Sequence, residues 1–155
     1  MSFKSQISAF TQKVEDNSEK VFRGTALQLF GEIVRATPVG NKDLWENRYL
    51  WGQLGFVQEG YTGGRLRGNW QAEVNGKNIG QLDTVDKNGS NTVAKGQANM
   101  ASAKAGDSIY LFNNLPYAIP VEYGHSAKQR PEGMVRVTLL GFNKAIAENA
   151  AKVNK

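Results

Sequence analysis

A helix-spaced run of apolar residues, closed by a proline, constrains this chain most. Phe3, Ile7, Phe10 and Val14 recur at spacings of four, three and four, which places them on one helical face. Phe22, Ala26, Leu29, Phe30, Ile33 and Val34 continue as a wider stripe. Pro38 sets the end, because a residue preceding proline avoids the α region. The pattern predicts one long amphipathic helix over residues 3–36. The polar stretch Glu-Asp-Asn-Ser-Glu-Lys at 15–20 is where it would bend or break. Core packing is the simplest reading of the stripe, and contact with a neighbouring subunit is the alternative.

The next segment has a different character. Residues 41–62 hold Trp45, Tyr49, Trp51, Phe56 and Tyr61, the most aromatic stretch of the chain. A loop of this length is uncommon inside a compact domain unless it has a function. Exposed Trp and Tyr are enriched at interfaces, so the segment reads as a partner-binding arm with a short helix around 43–51, or as a loop tucked onto the core.

Beyond it, "RLRGNWQAEVNG" alternates weakly and predicts a strand over 65–76. Leu66, Trp70, Ala72 and Val74 fall on one face, and Arg65, Arg67, Asn69, Gln71 and Glu73 on the other. Turn chemistry follows at 75–78 and 86–91, with a second strand or turn between them around 79–85. Residues 92–105 are Ala-rich and suit a short helix despite Gly96. "SIYLF" at 108–112 has strand composition. From Pro131 the sequence suits a final helix with proline in its first turn, and Val135, Leu139, Phe142 and Ile146 repeat the four, three, four spacing. Helices flanking a small antiparallel sheet make an α+β fold, a single domain over 1–155.

Composition removes several function classes. The chain of 155 residues has no cysteine and one histidine, so disulfides and thiolate chemistry are excluded and a zinc site would need several carboxylates. No apolar run approaches the ~20 residues that span a bilayer, and the first residues lack signal-peptide order, which predicts a soluble protein made in the cytoplasm. The net charge is +5, and residues 126–155 carry six Lys/Arg against two acids. A solvated helix with lysines near its end accounts for that bias. A phosphate-facing surface is the sharper alternative, but the aromatic interleaving of a nucleic-acid module is missing.

Catalytic signals are weak. His125 stands alone in a polar loop between Gly124 and Ser126, and no motif places an acid or hydroxyl beside it. "GYTGGRLRG" is glycine-rich but lacks the Lys-Ser/Thr ending of a phosphate loop and precedes an expected strand rather than a helix. No catalytic residue, cofactor or metal is expected.

Three segments taken in order carry a resemblance. Thr37, Pro38 and Val39 follow the first helix. Gly64, Arg65, Leu66, Arg67, Gly68, Asn69 and Trp70 come next. Asn114, Pro116, Tyr117, Ala118, then Glu122, Tyr123, Gly124, then Pro131, Gly133 and Met134 complete the series. Together, over about residues 30–145, they resemble the small neck, head–tail joining and tail-completion proteins of tailed bacteriophages. The first two elements usually lie close together in that family; here 41–62 intervenes. The resemblance implies a non-enzymatic virion protein, made in the host cytoplasm, that forms a homo-oligomeric ring. A hexamer, or twelve copies near the portal, would sit with other neck, connector and tail proteins around the DNA channel. A tail terminator is the near alternative, and a basic nucleic-acid-binding module the alternative of another class. Interface candidates are Trp45, Tyr49, Trp51, Phe56, Tyr61, Arg65, Arg67, Tyr117, Glu122 and Tyr123, with Glu122 pairing Arg65 or Arg67. Pro38, Gly64, Gly68, Trp70, Pro116, Gly124, Pro131 and Gly133 are expected to shape the backbone, and Tyr117 and Tyr123 to bury their rings.

Overall fold

The computed structural model describes residues 2–44 and 61–153. Trp45, Tyr49, Trp51 and Phe56, with most of the aromatic segment, lie outside the described residues. The fold is α+β: a long N-terminal helix, a small antiparallel sheet and a C-terminal helix packed together.

Helix α1 spans Phe3–Ala36 without interruption. Ser2 starts it, its hydroxyl accepting from the Ser5 N–H at 3.3 Å. The polar stretch at 15–20 does not break it. Gln12 donates to Asp16 at 2.9 Å and Arg23 to Glu19 at 3.1 Å, each one turn apart, and these pairs carry the helix through. It stops where Thr37, held extended before Pro38, turns its N–H back to Ile33 and Val34.

The apolar stripe divides. Leu29, Phe30, Ile33 and Val34 are core residues, whereas residues 2–16 are exposed throughout. Phe3, Ile7, Phe10 and Val14 are 78, 50, 66 and 46% exposed. Core packing therefore holds for the second half of the stripe and fails for the first. Among the described residues, the chain after Thr37 covers α1 from Asn17 onward, with Val14 at the edge of the cover.

The strand expected over 65–76 is shorter. Residues Arg65–Gly68 form one helical turn, α2, and strand β1 runs Trp70–Val74. It pairs antiparallel with β2, Ile109–Asn113, with Trp70 opposite Asn113 and Val74 opposite Ile109. No strand forms at 79–85 among the described residues. Side chains hold that segment in place of a ladder. Gln71 donates to the Gly80 carbonyl at 3.1 Å, Asn114 to Asn78 and Gly80, and the buried Asn69 accepts from the Leu82 N–H at 2.7 Å.

Helix α3, Ser90–Met100, lies across β1 and against α1. Gly96 is where it meets α1: a Cβ there would sit 2.2 Å from the Phe30 ring. The buried Asp86 fixes its start, accepting from the Gly89 and Thr92 N–H groups and the Thr92 hydroxyl at 2.8–2.9 Å.

The final helix is two. Pro131 lies in a turn before α4, Val135–Leu139, and α5, Phe142–Val153, follows a bend at Gly141. Gly133, with φ +88, breaks the backbone ahead of α4. The buried face of α5 carries Ala145 and Asn149. Phe142 and Ile146, 43 and 37% exposed, lie beside it. Asn149 donates to Gln28 at 2.9 Å and seats α5 on α1.

Candidate assembly surface

Thr37 joins the first two segments of the resemblance. Its hydroxyl, fully buried, accepts from the Trp70 indole N–H at 2.7 Å and donates to the Ile33 carbonyl at 2.7 Å. Its carbonyl accepts from Arg67 through both Nε and Nη2, at 3.2 and 2.5 Å. Arg67 also reaches the carbonyls of Lys87 and Arg35. Arg67, an interface candidate from the sequence, thus directs these donors onto its own chain. The helical turn at 65–68 rotates its side chain onto the end of α1, where its donors meet the carbonyls there. Gly64, with φ +95, and Gly68 let this turn approach the 84–87 backbone.

The third segment closes on itself. Glu122 does not reach Arg65 or Arg67. Its Oε2 accepts from the Met134 and Val135 N–H groups at 2.7 and 2.9 Å, and its Oε1 from the Arg136 N–H at 3.0 Å. Arg136 adds a side-chain bond to Oε1 at 3.3 Å and another to the Glu122 carbonyl at 2.6 Å. Burial alone would raise the Glu122 pKa. The three backbone donors and Arg136 outweigh it and hold the carboxyl below its usual range. Gly133 is required here, because a Cβ would stand 2.5 Å from the Glu122 carbonyl oxygen. Gly124, with φ +100, makes the preceding reversal.

Among the candidates, Arg65 and Tyr61 lie close enough to Tyr117 to act on its phenol. Burial pushes the Tyr117 phenol up, Arg65 pulls it down and Tyr61 pushes it up further. Tyr117 and Tyr123 do not bury their rings: they are 43 and 71% exposed. Tyr123 instead carries the Arg136 guanidinium 4.9 Å from its ring centre. Pro116 is exposed beside Tyr117. Against family models, curated proteins and solved structures, the chain finds no match.

His125 is exposed at the end of the reversal. No group of three or more His, Cys, Asp or Glu is placed to hold a metal among the described residues. No described helix is long and apolar enough to cross a membrane. Part of the basic bias is engaged within the chain, with Arg136 on Glu122, Lys144 3.8 Å from Glu148 and Lys152 on Asn149.

A groove of about 670 Å³ runs between α1, β2 and α5, lined by Val14, Phe22, Leu29, Leu111, Phe142 and Ile146 among others. The Thr25 hydroxyl at its wall has no hydrogen-bond partner among the described residues. Asn69, Asp86 and Glu122, which organise the backbone, were missed as hubs in the sequence. The signal was there for Asp86, which stands ahead of Gly89 and a helix start, an Asp–turn–helix pattern.

Proposed function

We propose that this chain is a non-enzymatic virion structural protein acting in a homo-oligomeric ring at the head–tail junction of a tailed phage, or at the top of its tail. The observation that carries the reading is the convergence of the resembling segments into one frame. Thr37 ties the first to Trp70 and Arg67 of the second, and Glu122 ties the two ends of the third together. These residues hold backbone to backbone, while Tyr61, Arg65, Tyr117 and Tyr123 reach the surface. That division suits an assembly protein, in which a stiff frame presents different patches to two neighbours around a closing ring.

Imaging of the purified chain by negative stain, together with particles assembled without it, tests the reading. Closed rings, and heads and tails that remain unjoined, are the expected results. Tails of uncontrolled length point to the terminator variant. Normal particles without the chain overturn the proposal. His125→Ala should leave joining intact; lost joining with unchanged folding and assembly would reopen catalysis.

A further inference from the structure

The exposed half of α1 has the pattern of a surface that mates with itself. The stripe Phe3, Ile7, Phe10, Val14 is spaced four, three, four, which reads the same in either direction. A second copy laid antiparallel therefore falls into register, with Phe3 opposite Val14 and Ile7 opposite Phe10, twice over. We propose that α1 of one copy pairs antiparallel with α1 of a second copy through this stripe.

Charge supports that orientation. Helical periodicity puts Lys4 and Glu15 on one flank of the stripe and Gln6 and Lys13 on the other. In an antiparallel two-fold pair like flanks meet. Lys4 of each copy then reaches Glu15 of the other, and Lys13 reaches Gln6, with no like charges opposed. Space supports it too. The first half-buried residue of α1 is Asn17, so in this register the buried part of each helix begins just past the start of the other's α1, and Phe3 of one copy meets Val14 at the mouth of the groove between α1 and α5.

Area sets the strength. At roughly 200 Å² for a phenylalanine, rings 78 and 66% exposed offer about 290 Å². With Ile7 and Val14 each copy contributes on the order of 450 Å², so the pair buries about 900 Å², below the ~1,200 Å² of standard stable interfaces. The contact is a weak, reversible one. It does not rest on the ring reading, since a two-fold contact between helices is independent of the patches that close a ring.

Because the chain has no cysteine, cross-linking is clean. Phe3→Cys and Val14→Cys proteins, mixed and mildly oxidised, should form the mixed disulfide in preference to either self-linked species. Sedimentation of the unaltered full chain over a concentration series should show a dimerisation step. Phe10→Asp should weaken that step at least tenfold, since a buried aromatic anchor is lost. Lys4→Glu should weaken it, and Lys4→Glu with Glu15→Lys should restore it. Circular dichroism of each variant should keep the parent's folded signal. Predominant Phe3→Cys self-linking, a dimerisation step indifferent to Phe10→Asp, or no such step at any concentration would overturn the pairing.

Discussion

The two halves of α1 share a helix and a periodicity but not an environment. Residues 25–36 bury Leu29, Phe30, Ile33 and Val34 under α3, α4 and α5, whereas residues 3–14 project Phe3, Ile7 and Phe10 into solvent. Hydrophobic spacing specifies which face of a helix is apolar. It does not specify what covers that face. The covering comes from the rest of the chain: Thr37 anchors Trp70 and Arg67 at one end of the helix, and Asn149 seats α5 near its middle. Among the described residues no hydrogen bond ties the first four turns of the helix to the rest of the chain, and Val14 alone of their stripe borders the groove against α5.

The sharpest way to break this comparison is to remove one ring from each half. Phe30, fully buried, packs against the α3 backbone at Gly96. Phe30→Ala should cost ~3–5 kcal/mol, the range for truncating a buried aromatic, as read by urea titration. Trp70→Ala belongs in the same range, because its buried ring and its hydrogen bond to Thr37 are lost together. A loss under about 1 kcal/mol at Phe30 would mean that the buried half is no better packed than the free one.

Gly96 probes the same contact from the other side. In a solvent-facing helix, Gly→Ala would stabilise by roughly 1 kcal/mol through backbone entropy. Here the new methyl meets the Phe30 ring at 2.2 Å, and overpacking of this kind costs ~1–3 kcal/mol. Thermal melts should show Gly96→Ala below the parent. A gain in melting temperature would show that the helices separate easily at this point.

Much of the fold was legible in the sequence, and where it was not, side chains had taken over from regular backbone patterns. The long helix and its stop at Pro38 follow from periodicity and proline sterics, and β2 from its composition. The burial of Leu66, Trp70 and Ala72 was read correctly, although residues 65–68 are helical. A single turn of helix and a strand of the same length can bury the same positions, so alternation could not tell them apart. The absent strand at 79–85 was illegible for another reason. Asn69, Gln71 and Asn114 bond its backbone from a distance in sequence, and no local pattern announces that. The bonds of Arg67 to the end of α1 were not legible either, because an exposed-face arginine and one that folds back onto carbonyls look alike in sequence. The Glu122 hub is likewise non-local: its donors lie 12–14 residues away.

That hub adds a pH test to the framework half of the comparison. Glu122 has a folded-state pKa held low, so its contribution is fully present above the unfolded value of ~4.3. It fades as pH falls through the lower folded value. Asp86, held low by the Thr92 and Gly89 donors against the opposing effect of burial, acts in the same direction. Glu122→Ala should cost ~1–3 kcal/mol at pH 7, the loss expected when partly buried N–H groups lose a charged acceptor. The gap between variant and parent should narrow below about pH 4. A gap that is constant with pH would mean that the carboxylate's charge contributes nothing to holding α4.

The smallest effect belongs to the free half. Phe10→Ser removes an aromatic ring that is 66% exposed and far from the core cluster. Substitutions at such surface positions usually stay within about 0.5 kcal/mol, and the helix propensities of Phe and Ser are close. At low protein concentration, where copies do not meet, the urea midpoint of Phe10→Ser should therefore match the parent's. At high concentration the two should separate, the parent gaining stability by mass action and the variant not. This pair of measurements isolates the cover from the fold. A midpoint lowered by more than 1 kcal/mol equivalent at low concentration would mean that the first half of α1 packs against its own chain. Equal midpoints at every concentration would mean that nothing in a second copy covers Phe10.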